Sequence, residues 1–140
     1  MDRGPTKLFI ATKAFILYQN KVLIVRESDK YIEGTNQGKF DVVGGRIKLG
    51  QRFDESLRRE VKEETGLDAV IYEPFYVGEW RPFVKGEEWQ IVGIFFRCSS
   101  VSDKVRLSQD HDGFLWIDPK NYENYALIDN LLPVFEAYLK

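Results

Sequence analysis

An α/β fold, with a mixed sheet held between helices, is what this sequence predicts, and three observations predict it. Apolar runs rich in β-branched residues at 12–18, 21–26, 69–80 and 88–98 have the length and composition of strands. Between the second and third of them, residues 52–65 carry Phe53, Leu57 and Val61 at every fourth position, the spacing of an amphipathic helix. Residues 127–139 close the chain with a second helical stretch, so the order is strands, helix, strands, helix.

Each element has a local reason. Gln19-Asn20 joins the first two runs as a β-hairpin turn, and residues 28–38, polar with two glycines, read as a loop. A short strand at 39–43 leads into Gly44-Gly45 and a turn ending near Gly50. Gly66 stands where a helix over 52–65 needs a residue able to turn left-handed. The charged segment 81–87 separates the two long later strands, and a further short strand fits 113–117. Asp118-Pro119 then suits the cap and first turn of a local helix, and Pro133 either lies in the first turn of the last helix or kinks it. With no repeat, low-complexity stretch or linker, residues 1–140 read as a single domain.

Composition narrows the function. Twenty Lys and Arg against 22 Asp and Glu give a net charge of −2, and 44% hydrophobic with 30% charged residues is globular rather than disordered. So even a balance argues against a protein held on duplex DNA by its overall charge, while a small anionic ligand stays open to a locally basic site. A chain of this size buries roughly two-thirds of its unfolded surface, so neither disulfide nor structural metal is required. Cys98, the sole cysteine, lies in the apolar run 91–98, where its neighbours raise a thiol pKa; a buried structural thiol is the expectation. No stretch reaches the ~20 apolar residues of a membrane span, and residues 1–13 lack the apolar core of a secretion signal, so a cytoplasmic location is expected.

The central helix carries the chemistry. On a wheel of 100° per residue Glu60, Glu63 and Glu64 fall at about 0°, −60° and +40°, while Phe53, Leu57 and Val61 fall at about +20°, +60° and +100°. The acidic stripe therefore overlaps the apolar one, whereas the far side carries Glu55, Arg58 and Lys62. Three like charges beside an apolar edge are costly unless a cation neutralises them, and carboxylate oxygens are the ligands that Mg²⁺ and Mn²⁺ prefer. Ser56, one turn before Glu60, leaves room there, and Arg59 flanks the acidic face. The competing reading is a solvated face with i,i+4 pairs such as Glu55-Arg59.

The spacing around these residues bears on that choice. Gly45, Arg59-Glu60-Val61, Glu63-Glu64 and Gly66-Leu67 stand as G-x13-R-E-V-x-E-E-x-G-L. This resembles the Nudix box, G-x5-E-x7-R-E-U-x-E-E-x-G-U with U aliphatic, and six identities over ~120 placements arise by chance on the order of once in 10⁵ chains. One position departs: Gln51 stands where the family has Glu. In the family that Glu supports the box near the Arg, and Gln keeps hydrogen-bonding capacity there.

The resemblance implies a Nudix fold whose loop-helix-loop binds Mg²⁺ or Mn²⁺, and hydrolysis of a nucleoside diphosphate linked to another group by water attack on phosphorus. Carried over, Glu60, Glu63 and Glu64 would be metal ligands, one of them a candidate general base; the Gly45 carbonyl would be a further ligand, and Arg59 would orient the carboxylates. Asp110-His111 before Phe114-Leu115-Trp116-Ile117 is similar to the acid-His pair of many members, so Asp110 is a candidate extra carboxylate, against a loop-capping role. His111, the only histidine, reads as a structural residue first and a base second. Arg26 resembles a phosphate-contacting residue of several members. Arg46, with Lys48 and Arg52, is set at the box loop, where it faces either the diphosphate or solvent. Phe40, Trp80 and Trp89 are the aromatics on which a base could stack, core packing being the alternative for each. Pro82, 15 residues after Leu67, is a weak cue for ADP-ribose hydrolysis.

The expected activity is that of a Mg²⁺-dependent pyrophosphohydrolase acting on a small nucleotide: nucleoside triphosphates including oxidised ones first, then ADP-ribose and other nucleoside diphosphate sugars. Gln51 and Asp110 motivate an alternative, a non-hydrolysing nucleotide-binding module of the same fold, and a merely acidic surface helix is the third reading. Neither membrane nor duplex DNA is an expected partner, a homodimer is left open, and specificity is expected in the loops at 28–38 and 81–87.

Overall fold

The computed structural model describes residues 4–30 and 36–140; residues 1–3 of the leader reading and 31–35 of the predicted loop lie outside the described residues. Strands β1 (Lys7–Tyr18) and β2 (Lys21–Glu27) form the predicted hairpin. Gln19 and Asn20 take φ values of 47° and 66°, the left-handed pair that a tight two-residue turn between twisted strands requires.

Beyond Leu17↔Val22 the two strands part, and each finds other neighbours. β1 runs parallel to β7 (Glu87–Ser100) from Lys7↔Trp89 to Leu17↔Ser99. β2 runs antiparallel to β8 (His111–Ile117) on one side and β3 (Phe40–Asp41) on the other. β4 (Gly44–Arg46) pairs antiparallel with β1, so the expected strand at 39–43 is two short strands serving different partners. β5 (Ala69–Trp80) forms the far edge against β7, its register shifting around Pro74, which an edge strand tolerates. The segment expected as a plain connection at 81–87 contains β6 (Phe83–Val84), hairpinned back onto β7.

Both faces of the sheet are covered, which is why its central strands read as continuous apolar runs rather than alternating ones. Phe15, Val22, Ile24 and Phe95 point to one side, packing with Leu131, Val134 and Phe135 around helix α2 (Leu132–Tyr138). Ala14, Ile16, Leu23, Val25, Phe96 and Cys98 point to the other, under Leu57 and Val61 of helix α1 (Phe53–Thr65). Burying each large apolar side chain contributes about 1.5–3 kcal/mol, so the two layers together hold the sheet.

Helix α1 starts one residue later than predicted, with Arg52 extended at its N-cap and Asp54 and Glu55 in the first turn, where carboxylates meet the positive end of the helix dipole. Gly66 ends it at φ 75°, donating its N–H to the Lys62 carbonyl. The predicted helix at 127–139 is shorter than expected: Leu127 and Ile128 are buried in extended backbone beside Phe40, a 3₁₀ turn Asp129–Leu131 follows, and only then does α2 begin. Pro133 sits in its first turn, where a missing N–H leaves nothing unpaired, so there is no kink. Asp118 caps the 3₁₀ segment Pro119–Asn124 by accepting from the Lys120 N–H. Burial pushes the Cys98 thiol up to about 12, as expected of a structural cysteine. Among the described residues no helix is long and apolar enough to cross a membrane.

Candidate functional site

The inner arc of α1 is made by Ser56, Leu57, Val61 and Thr65, all buried. Glu60 and Glu64 fall inside that arc, and their side chains are only 20% and 12% exposed, against 55% for Glu63 at its rim. Phe53, at the open end of the apolar stripe, stays half exposed and stacks on Phe96 at 5.6 Å. Opposite Glu60 stands Gly45, paired with Thr12 on β1; a Cβ there would lie 3.0 Å from the Glu60 carboxyl carbon. Glycine at 45 thus lets backbone and carboxylate approach each other.

Burial pushes the Glu60 carboxyl above the ordinary carboxylate range, Arg59 opposes the rise, and Glu63 and Glu64 add to it. Arg59 stands 3.4 Å from Glu60 Oε1 and 3.2 Å from Glu63 Oε2. It also donates to Gln51 Oε1 at 3.5 Å, and that same oxygen accepts the Lys48 N–H at 3.4 Å. Gln51 therefore links the box loop to the box arginine. The Glu55-Arg59 pair of the competing reading is not formed among the described residues: Arg59 turns to the more crowded Glu60 and Glu63, and the pairs on the solvent side include Arg58 with Asp54 at 3.7 Å and Lys62 with Asp68 at 3.1 Å.

Glu64 is held differently. Burial alone would raise its carboxyl, but hydrogen bonds from His111, Ser108 and the neighbourhood of Asp110 outweigh that and hold it below the ordinary range. Ser108 Oγ donates to Glu64 Oε2 at 2.5 Å, and His111 Nδ1 lies 3.0 Å from the same oxygen. Asp110, partly buried beside this carboxylate, is pushed up by desolvation first and by the Glu64 charge second. Backbone bonds bring the loop there: the Arg106 N–H donates to the Thr65 carbonyl at 2.9 Å and the Ser108 N–H to the Glu64 carbonyl at 3.3 Å. Sequence reading missed Ser108 altogether. Its one signal was its place two residues before Asp110, whose N–H it accepts at 3.3 Å in a local turn.

The other predicted contacts are dispersed. Arg26 pairs with Asp112 at 2.6 Å across β2 and β8. Arg46 points to the face of the sheet away from α1, since Gly45 next to it points toward Glu60; its guanidinium lies over Phe9 at 4.6 Å and Trp89 at 5.0 Å. Lys48 remains exposed and lowers Glu60 through its charge, while Arg52 pairs with Asp54 at 3.1 Å. Phe40 packs against the α2-side core and Trp80 lies on Gly93, where any Cβ would overlap its ring. Trp89 is buried, its indole N–H donating to Glu87 at 2.9 Å. Pro82 accepts the Trp89 N–H through its carbonyl and so starts the β6–β7 hairpin. A half-buried ion pair, Lys13 with Asp41 at 2.9 Å, was not anticipated.

Among the described residues two buried hydroxyls, Thr12 Oγ1 and Ser56 Oγ, have no hydrogen-bond partner; Thr12 pairs in register with Gly45, and Ser56 lies one turn before Glu60. Among the described residues no three His, Cys, Asp or Glu side chains converge closely enough to hold an ion as they stand, because Glu63 is drawn to Arg59 and Glu64 to Ser108 and His111. The donor set nonetheless suits a hard divalent cation: oxygen ligands, a glycine carbonyl with no side chain in the way, and a half-buried carboxylate whose charge its surroundings oppose.

Comparison with known proteins decides the family, for the NUDIX domain matches residues 7–136. The chain belongs to the NUDIX family. Nucleoside triphosphatase NudI of Escherichia coli is 26% identical over 104 residues, covering 67% of this chain and 72% of that protein. The crystal structure of a MutT protein from Methanosarcina mazei Go1 superposes with a TM-score of 0.82 at 26% identity, covering 97% and 94% of the two chains. An ADP-ribose pyrophosphatase from Streptococcus suis 89-1591 shares the fold at a TM-score of 0.60 and 19% identity, over 80% of this chain and 75% of that one. The predicted Nudix fold, the resemblance and the assignment as a Nudix hydrolase all stand on these matches.

Proposed function

We propose that this Nudix hydrolase cleaves the diphosphate of a nucleoside diphosphate derivative with the aid of Mg²⁺ or Mn²⁺, nucleoside triphosphates being its first candidate substrates. The observation that carries the reading is Glu60, half-buried against Gly45, with burial and two neighbouring glutamates all opposing its charge. Such a site gains most from a divalent cation. The similarity to a nucleoside triphosphatase supports the substrate order, with ADP-ribose and other nucleoside diphosphate sugars behind it.

Glu60, Glu63, Glu64 and the Gly45 carbonyl would hold the ion. When bound, it supplies neutralisation of the diphosphate oxygens and a lower pKa for the attacking water. Arg59, anchored by Gln51, keeps Glu60 and Glu63 from swinging apart. Asp110, next to Glu64 and pushed above the usual range, is placed to exchange a proton with an incoming water. Arg26 and Arg46 are the basic residues proposed for the nucleotide; the Asp112 pair and the aromatic stack fix their guanidinium groups in place. Phe40 and Trp80, packed as they are, would offer a base at most an edge or an outer ring face.

A panel of nucleoside triphosphates, 8-oxo analogues, ADP-ribose and nucleoside diphosphate sugars, assayed with Mg²⁺ for nucleoside monophosphate release, tests this. Turnover that vanishes with EDTA and returns with Mg²⁺ is the expected result. Tight nucleotide binding without turnover across the panel would overturn the hydrolytic reading.

A further inference from the structure

Glu64 differs from its two companions in what holds it. Glu60 and Glu63 share one arginine, whereas Glu64 Oε2 receives Ser108 Oγ at 2.5 Å and faces His111 Nδ1 at 3.0 Å. Ser108 touches Glu64 twice, since its N–H also donates to the Glu64 carbonyl at 3.3 Å. The hydroxyl's only proton is committed to the carboxylate, and its lone pair accepts the Asp110 N–H at 3.3 Å. One small side chain thus fixes the rotamer of a helix carboxylate and the backbone position of the acid two residues later. With Oε2 occupied in this way, Oε1 is the oxygen left to meet a ligand.

We propose that Ser108 is a positioning residue: its hydroxyl aims Glu64 Oε1 toward a divalent ion and sets Asp110 beside it. This deepens the proposed function and rests on Glu64 being one of the ion's ligands. Partners that orient a ligating carboxylate are worth roughly 10–100-fold in metal affinity. A purely structural serine would leave affinity unchanged in any variant that folds.

Mn²⁺ binding to the full chain, measured by the electron paramagnetic resonance of the free ion, tests it without reference to turnover. Ser108→Ala is expected to weaken Mn²⁺ binding about tenfold or more, Ser108→Thr, which keeps the hydroxyl, to restore it to within about threefold, and Ser102→Ala, a hydroxyl lost elsewhere in the same loop, to match the parent. With saturating Mg²⁺ the Ala variant should lower kcat and leave the nucleotide KM unchanged. Parental Mn²⁺ affinity in a folded Ser108→Ala chain would overturn the proposal while leaving the hydrolase reading intact. A parent that neither binds Mn²⁺ nor hydrolyses any nucleotide would overturn both. Should Ser108→Ala fail to fold, Ser108→Cys, similar in size with only a weak donor, decides by the same comparison.

Discussion

The two faces of one sheet have been put to opposite uses. On the α2 side Phe15 meets Phe75 at 5.3 Å, Phe135 at 5.2 Å and Tyr138 at 4.6 Å, and Tyr122 stacks on Phe135 at 5.2 Å. These contacts are aromatic, and the polar side chains on this face are paired, Lys13 with Asp41 and Arg46 over Phe9 and Trp89. On the α1 side Leu57 and Val61 cover Ala14 and Ile16, but the same layer contains two orphaned hydroxyls and the partly buried Glu60 and Glu64. The two hydroxyls and the Glu60 carboxylate cost stability that an apolar residue in their place would not, whereas Ser108 and His111 compensate Glu64. Both faces bury apolar side chains that hold the sheet, but only the α1 layer also carries crowded carboxylates, whose repulsion a divalent ion would relieve.

That contrast can be broken in order of size. Glu60→Gln should reduce turnover by a factor of about 10³ or more, equivalent to ~4 kcal/mol of transition-state stabilisation, while thermal unfolding shows equal or higher stability because a repelling charge is gone. If this variant unfolds early, the carboxylate is part of the scaffold and the contrast fails. Phe135→Ala should do the reverse, costing about 3–5 kcal/mol in denaturant titration and leaving turnover per folded molecule unchanged. Gly45→Ala would push a methyl against the Glu60 carboxyl group. Since the far end of a side chain can move aside, stability should hold, while the metal-activation constant rises about tenfold or more. The smallest effect is expected from Thr12→Val, which removes an unpaired buried hydroxyl at constant shape and should raise stability by about 1 kcal/mol in the same titration.

How legible was this in the sequence? What depends on neighbours within a few residues was readable: the Gln19-Asn20 turn, the overlap of acidic and apolar stripes on α1, Gly66 at its end and the Asp118 cap. The wheel placed Glu60 and Glu64 inside the buried arc, and their low exposure agrees. What depends on register was not readable. Arg46 follows Gly45 directly, so in a strand the two face opposite sides, but which of them faces α1 is set by the pairing of β4 with β1, a partner more than 30 residues away. Ser108 reaches Glu64 across 44 residues through backbone bonds along α1, and no spacing announces that. Arg59 had two acidic neighbours one turn away, Glu55 and Glu63, and only the crowding at Glu60 and Glu63 decides between them. The last helix came out short because Leu127 and Ile128 are recruited to lie beside Phe40 before the chain can coil.

Anomalous scattering from crystals grown with Mn²⁺ and a non-hydrolysable nucleoside triphosphate tests directly whether the acidic edge of α1 is a cation site. A manganese peak between the Gly45 carbonyl and the carboxylates of Glu60 and Glu64 is the predicted result. Bound nucleotide with no manganese along that edge would contradict it.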